Sequence, residues 1–143
     1  MIPEILVFVT KPKNAKLDYL PNQLEPQAVI LHVGTNDIET KQADVVLGQL
    51  HDTVDAIHLK FPHTKIILSN IAPRTSFQHA LDYVNGNINF TYAESSYVTV
   101  CRNSNIQRRV QALDGIHLRP PGASVLASNF KKCVAAALKI QIR

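Results

Sequence analysis

The stretch "VILHVGTNDI", residues 29–38, decides the fold, because a buried-looking apolar run ends there in small and polar residues. Such a run is typical of a strand of a parallel sheet, and ligands bind in the crevice beyond the carboxyl ends of these strands. Gly34 permits a turn that a Cβ atom would obstruct, and Asn36 then presents an amide donor to the crevice. Taken alone, however, the motif favours a simpler alternative, in which Thr35, Asn36 and Asp37 cap a helix that begins near residue 40.

The rest of the chain alternates between the strand and helix patterns. Strands are predicted at residues 4–10, 28–33, 65–73 and 96–101, and helices at residues 41–60, 76–93 and 122–140, the second of them interrupted by Gly86. This alternation predicts an α/β fold with three layers, α/β/α, around a mainly parallel sheet. No linker or repeat divides the sequence, so we expect one domain over residues 1–143.

Composition narrows the class of protein further. The 45% hydrophobic and 18% charged residues are typical of a globular domain, and no apolar stretch reaches the roughly 20 residues that span a bilayer. The net charge of +4 comes from scattered side chains, which favours a solvated surface over a nucleic-acid interface. Cys101 and Cys133 match no metal-ligand spacing, and no secretion signal is evident. We therefore expect reduced core thiols and an intracellular location.

A second motif, "LDGIHL", places Asp114 three residues before His117. A carboxylate at that spacing can reach the imidazole, hold one tautomer and leave the other ring nitrogen free as a base. By itself an Asp-x-x-His pair is common and usually structural. The remaining histidines, at positions 32, 51, 58, 63 and 79, have weaker cases as catalytic residues.

Together the two motifs carry a family resemblance. "VILHVGTND" followed by "DGIHLRPPGASVL" resembles the third and fifth blocks of the SGNH hydrolases, also called the GDSL esterase family. "FPHTKIILSNIAPR" is similar to the family's intervening strand and the Pro-Arg after it, so the likeness extends over about residues 4–140. The amino-acid sequences of both blocks look most like those of the SGNH domains of animal retroelement-type proteins.

The resemblance implies a role for each matching residue. Asn36 and Gly34 would lie at the oxyanion hole, with Asn14 near the glycine of the family's second block. His117 would be the general base and Asp114 its orienting partner. The family hydrolyses esters through an acyl-serine intermediate without a metal or other cofactor, so the implied ligand is a small acyl ester or an acetylated sugar.

One block of the family is missing from this sequence. No Gly-Asp-Ser, which carries the nucleophile at the end of the family's first strand, occurs among residues 1–143. Ser69 ends a strand, but it lacks the small neighbours of an exposed nucleophile, so it is a weak candidate. The blocks align Met1 just before the family's second strand, which leaves out the first strand and helix of a flavodoxin-like sheet ordered 2-1-3-4-5. Either residues 4–10 then pair with residues 28–33, or unpaired edges invite self-association.

Three functional hypotheses remain open at this stage. The chain is an SGNH-type serine esterase domain, with little activity of its own because the serine block is absent. Alternatively it is a non-catalytic binding or interaction module derived from that fold. A third hypothesis is a nucleic-acid partner within a retroelement-type protein, which the scattered charge does not favour.

Overall fold

The computed structural model describes the backbone of residues 5–8 and, with their side chains, residues 25–32, 34, 37–72, 76–106 and 120–139, except for the side chain of residue 121. Four strands and four helices lie in these ranges. The strands are β1 (Ile5–Phe8), β2 (Ala28–Leu31), β3 (Lys65–Ser69) and β4 (Val98–Cys101). The helices are α1 (Asp37–Thr40), α2 (Ala43–Lys60), α3 (Gln78–Thr91) and α4 (Pro120–Leu138).

The four strands form one parallel sheet in the order β1-β2-β3-β4. Ile5 is the partner of Ala28 in the first pair of strands, Ala28 is the partner of Lys65 in the second, and Ile66 is the partner of Val98 in the third. The pairing of β1 with β2 is the first of the two arrangements expected from the sequence. In the order that the family resemblance implies, the strand beside β2 is the family's first, so β1 occupies that position.

Helices cover both faces of the sheet, because alternate side chains of a strand point to opposite sides. Val29, Leu31, Ile66 and Leu68 lie in one buried cluster with residues of α2 and α3. Ala28, Ile30, Ile67 and Cys101 lie in a second cluster, with Val134 of α4. The three-layer α/β/α architecture predicted from the sequence is therefore confirmed.

The observed helices differ from the predicted ones in two respects. α3 runs unbroken through Gly86, which is exposed, and the predicted interruption at this glycine is wrong. A glycine weakens a helix by about 1 kcal/mol, and the burial of Leu81, Val84 and Ile88 outweighs this cost. A separate short helix, α1, precedes α2, whose N-cap is Gln42 with no side-chain capping bond. In the described part of the chain, no helix is both long and apolar enough to cross a bilayer.

The two cysteines form a disulfide, so the expectation of reduced thiols is wrong. Cys101 ends β4 and Cys133 lies on α4, with their Cα atoms 5.8 Å apart, within the range that a disulfide spans. The two cysteines are 32 positions apart in sequence, and they come together because α4 packs back against β3 and β4. The bond joins the final helix covalently to the sheet.

Reduction of this disulfide should lower the free energy of unfolding by about 3 kcal/mol, because it removes a cross-link that restricts the unfolded chain. Urea unfolding with and without a reductant measures the change, and the Cys101→Ser/Cys133→Ser double variant should be insensitive to the reductant. Mass spectrometry after alkylation of the native protein tests the bond itself. Two alkylated cysteines without prior reduction would show that the bond does not form.

Candidate functional site at the carboxyl edge of the sheet

Gly34 follows β2 at the carboxyl edge of the sheet and adopts a backbone conformation that favours glycine. Its φ is +106°, and a Cβ atom added there would lie 3.3 Å from Cδ1 of Ile71. Its carbonyl oxygen accepts a hydrogen bond of 3.1 Å from the amide of Ile38 in α1. The chain therefore turns sharply between β2 and α1 against the segment that follows β3, as the sequence predicted.

Asp37 begins α1 and is fully buried, where Lys41 one turn later forms an ion pair with it at 3.5 Å. The sequence predicted one helix that begins near residue 40, and the structure has α1 there, followed by α2. Asp37 lies in the first turn of α1, where a carboxylate is favourable near the helix N-terminus. The other two suggested capping residues, Thr35 and Asn36, lie outside the described residues.

Ser69, the last residue of β3, lies in a buried network of polar side chains on the α4 side of the sheet. Its hydroxyl lies 3.0 Å from Nδ1 of His32 and 2.9 Å from Nδ2 of Asn103, and 3.2 Å from the carbonyl oxygen of Asn70. One assignment of hydrogens uses all three contacts. Asn103 and the Nδ1–H tautomer of His32 donate to the hydroxyl, and the hydroxyl donates to the carbonyl.

In the Nδ1–H tautomer His32 donates to Ser69, and in the Nε2–H tautomer it accepts from Ser69. Ser69 is only 2% exposed, so its hydroxyl has almost no access to solvent in either tautomer. Burial lowers the pKa of His32, which keeps its imidazole neutral at pH 7. The ring also packs edge-on against Phe130 of α4, with the ring centroids 5.6 Å apart.

Asn103 holds the ends of β3 and β4 together. Its Nδ2 donates to the carbonyl oxygen of Asn70 at 2.8 Å as well as to Ser69, and its Oδ1 accepts from Nδ2 of Asn129 in α4 at 3.1 Å. Asn129 and Asn105 exchange two further hydrogen bonds of 2.8 and 3.0 Å between their amides. These bonds fix α4 to the carboxyl edge of the sheet.

The sequence-predicted residues fall into two groups. Asn36, Asn14, Asp114 and His117 lie outside the described residues, so their assigned roles stay predictions. Gly34 follows β2 and Ser69 ends β3, so both lie at the carboxyl edge of two neighbouring strands.

The other histidines named from the sequence have different surroundings. His51 is bonded at 2.6 Å to the hydroxyl of Tyr92, whose pKa burial raises to about 12 with further contributions from Asp55 and Tyr97. His58 stacks on Tyr97. No cluster of three or more His, Cys, Asp or Glu suited to a metal occurs in the described ranges.

Sequence reasoning missed the asparagines of this edge. Asn70 and Asn103 follow β3 and β4 as directly as "GTND" follows β2, and the polar run "RNSN" after "SYVTVC" is the signal that could have indicated them. It was overlooked because no family block coincides with it. Asn129, in the middle of a long amphipathic helix, carries no such signal.

Comparisons with known proteins agree with this architecture. No model of a known protein family matches the sequence. The structure matches a carbohydrate esterase family 3 protein from Talaromyces cellulolyticus with a TM-score of 0.73 at 19% identity, over 84% of this chain and 63% of that one. The chain has the fold of the SGNH esterases. The resemblance stated from the sequence is thereby confirmed at the level of the fold.

Two further matches place this SGNH-like chain among related folds. The esterase domain of the ZfL2-1 ORF1 protein from a zebrafish retrotransposon matches with a TM-score of 0.56 at 21% identity, over 90% of this chain and 96% of that domain. In sequence, 77 residues are 34% identical to the platelet-activating factor acetylhydrolase IB subunit beta homolog of Drosophila melanogaster. They make up 54% of this chain and 32% of the fly protein, so the match spans about a third of that relative's length.

Replacement of Gly34 by alanine should lower the free energy of unfolding by about 1 to 3 kcal/mol, because the added Cβ is strained at this φ and crowds Ile71. Gly48→Ala is the matched control. Gly48 lies in α2 with open space around it, so alanine should there raise stability by about 1 kcal/mol. Urea unfolding of both variants measures the difference, and equal effects would contradict the strained conformation at Gly34.

Stability should also depend on the ionisation of His32. Because burial holds its folded pKa below the ordinary value of 6.5, the unfolded chain binds the proton more readily. The free energy of unfolding should therefore fall as the pH drops below about 6.5, by at most about 1.4 kcal/mol per pH unit for this one proton.

A comparison of variants isolates this contribution. Urea unfolding of the wild-type chain and of His32→Gln across this range should show a shallower pH dependence in the variant. His79→Gln, at an exposed position of α3, should retain the wild-type slope. Identical slopes for the wild type and His32→Gln would contradict the assigned burial of this imidazole.

Proposed function

We propose that this chain contributes the Gly34–Asn36 and Asp114–His117 parts of an SGNH-type site for small acyl esters. We further propose that residues 1–143 alone hydrolyse such esters very little. The conformation of Gly34 is the observation that supports the first part of the proposal. Its positive φ and its buried contact with Ile71 lie directly beyond a strand at the carboxyl edge, where an oxyanion donor is needed.

The geometry at Gly34 supports a role for Asn36 beside it. The turn that starts at Gly34 ends in α1 at Asp37, so Asn36 belongs to the short connection between the sheet edge and a helix N-terminus. Such positions favour negative charge, and a developing oxyanion is the charge that ester hydrolysis produces. His117 and Asp114 would complete the proton transfer, as the family resemblance implies.

The proposed low activity rests on the missing nucleophile. β1 occupies the position of the strand that carries the serine in the family, and the sequence after β1 reads Val9, Thr10 and Lys11 instead of Gly-Asp-Ser. Ser69 does not replace that serine in our proposal, because it is only 2% exposed and its hydroxyl is held within a network of polar side chains. We assign Ser69 a structural role in the polar network.

Hydrolysis of p-nitrophenyl acetate tests the proposal. The rate with residues 1–143 should equal the rate with the His117→Ala variant, because the base has no hydroxyl to activate. A rate well above background that His117→Ala abolishes would falsify the proposed inactivity. In that case Thr10→Ala and Ser69→Ala would identify the attacking hydroxyl.

A gain-of-function variant tests the proposed site more directly. Replacing Val9, Thr10 and Lys11 by Gly, Asp and Ser should raise turnover by several orders of magnitude, which is the contribution of a complete triad. The same triple variant with His117→Ala should lose the gain. A folded triple variant that remains as inactive as the wild type would contradict the assigned position of the nucleophile.

The location of the protein and the remaining hypotheses stay predictions. The disulfide between Cys101 and Cys133 is the observation that weighs against the intracellular location expected from the sequence, because disulfides persist mainly in oxidising compartments. The retroelement-type placement is supported by the match to a retrotransposon esterase domain, which covers 90% of this chain and 96% of that domain. A role in nucleic-acid binding has no supporting cluster of basic residues in the sequence.

A further inference from the structure

A groove of about 360 Å³ runs along the outer edge of β4, the last strand in the order of the sheet. Val98, Thr99 and Val100 all line it, together with Tyr92 and Ala93, which follow α3. Because side chains alternate along a strand, three consecutive residues can line one groove only through the backbone edge that they share. One wall of the groove is therefore the edge of β4 that faces away from β3.

The register with β3 shows which backbone groups of β4 point into this groove. Val98 is the partner of Ile66, and in a parallel ladder a residue bonds to the two neighbours of its partner. The amide of Ile66 accordingly donates to the carbonyl oxygen of Tyr97 at 2.8 Å. The backbone groups of Thr99 thus face β3, and those of Val98 and Val100 face the groove.

Ser95 caps the beginning of this edge, and the described part of the chain leaves the rest unpaired. Oγ of Ser95 accepts hydrogen bonds from the amides of Tyr97 and Val98, at 3.3 and 3.0 Å. The carbonyl oxygen of Val98 and both backbone groups of Val100 have no partner among the described residues. Charged residues and prolines usually protect such an edge from pairing, and the sequence of β4, VTVC, contains neither.

The unpaired groups of the edge are complementary to one another under a two-fold rotation. An antiparallel copy of β4 that is centred on Thr99 puts Val98 of each chain opposite Val100 of the other. The amide of Val100 then donates to the carbonyl oxygen of Val98 in the second copy, and symmetry repeats this bond. The carbonyl oxygen of Val100 faces the Val98 amide, so every outward donor of the strand lies opposite an acceptor.

The side chains of this edge are compatible with the same pairing. Thr99 lies opposite its own copy at the axis, and Val98 with Val100 forms two cross-strand pairs of β-branched residues, which suit a sheet. Arg102 is the one charged residue among the described residues that line the groove. It lies opposite the uncharged Ser96 of the second copy, so like charges do not meet there.

We propose that two copies of this chain pair through β4, antiparallel and centred on Thr99, and thereby join their sheets into one. Each copy contributes its four described strands. The carboxyl edges of the two sheets then point in opposite directions, so neither candidate site faces the other. The proposal concerns assembly alone and does not rest on the proposed function.

Sedimentation equilibrium at concentrations up to about 1 mM, where even weak pairing is populated, measures this assembly. The average mass should rise from 15.9 kDa towards twice that value as the concentration increases. Val100→Pro should remain monomeric throughout, because proline removes the outward amide and spares the bonds to β3. Val100→Ala is the matched control, since it shortens the side chain but keeps the amide, and it should still pair.

A pair of charge variants tests the position of the axis. Thr99→Lys and Thr99→Glu should each weaken pairing by about tenfold, because like charges then lie directly opposite each other. An equimolar mixture of the two variants should pair at least as well as the wild-type chain. Thr40→Lys adds the same charge at an exposed position of α1 and should pair like the wild type.

Hydrogen exchange of single amides, followed by NMR, identifies the edge that pairs. The Val100 amide should exchange about tenfold more slowly where roughly nine chains in ten are paired, because only the unpaired chain exposes it. The Thr99 amide faces β3 and should exchange at the same rate at low and high concentration.

The outcomes separate this edge from any other contact between copies. A mass of 15.9 kDa at every concentration overturns the pairing. Self-association that Val100→Pro and Thr99→Lys leave unchanged also overturns it, because the contact then lies elsewhere. Charge variants that stay monomeric when mixed overturn the axis at Thr99, and recovery in the mixture supports it. If circular dichroism shows that Val100→Pro does not fold, the charge variants decide.

Discussion

The side-chain amide of Asn103 is the group on which the carboxyl edge of this sheet depends. Its NH₂ donates both to Ser69 and to the carbonyl of Asn70, at 2.9 and 2.8 Å, and its oxygen accepts from Asn129. Parallel strands end without a hairpin to join them, so their ends need such cross-bridges. Asn103 thus joins the carboxyl ends of β3 and β4 to α4 at one point.

The alternation of side chains gives the two sides of this edge different properties. Ser69 and His32 point toward α4, where every contact of the serine hydroxyl is satisfied and burial is nearly complete. Asn70, one residue further along, lies beside residues of α3, and its side-chain oxygen is buried with no hydrogen-bond partner among the described residues. A shift of one residue thus separates a hydrogen-bonded serine from a buried amide oxygen that the described residues leave unpaired. The disulfide between Cys101 and Cys133 adds a covalent link on the α4 side.

Hydrophobic patterning was sufficient to predict the layers of the fold and most of its elements. Runs such as "AVIL" and "KIILS" are buried strands, and Val46, Leu50, Val54 and Ile57 form the buried face of α2 as their spacing predicted. Patterning could not predict which residues that are far apart in sequence lie close together in the fold. The pairing of Cys101 with Cys133 and the convergence of Asn103 with Asn129 both depend on how α4 packs on the sheet, which no local signal encodes. The roles of Asn36, Asp114 and His117 rest on the family resemblance alone and stay predictions.

The contact between His32 and Ser69 shows why proximity alone does not define a nucleophile. Their atoms are 3.0 Å apart, which is the separation of a serine and its base in a hydrolase. A nucleophilic serine must transfer its proton to the base, and its oxygen must be accessible to the substrate carbonyl. Here Asn103 donates to the hydroxyl, the carbonyl oxygen of Asn70 lies 3.2 Å away as a second acceptor for the hydroxyl proton, and the residue is almost fully buried. This contact between a serine and a histidine is therefore part of the polar network at the sheet edge.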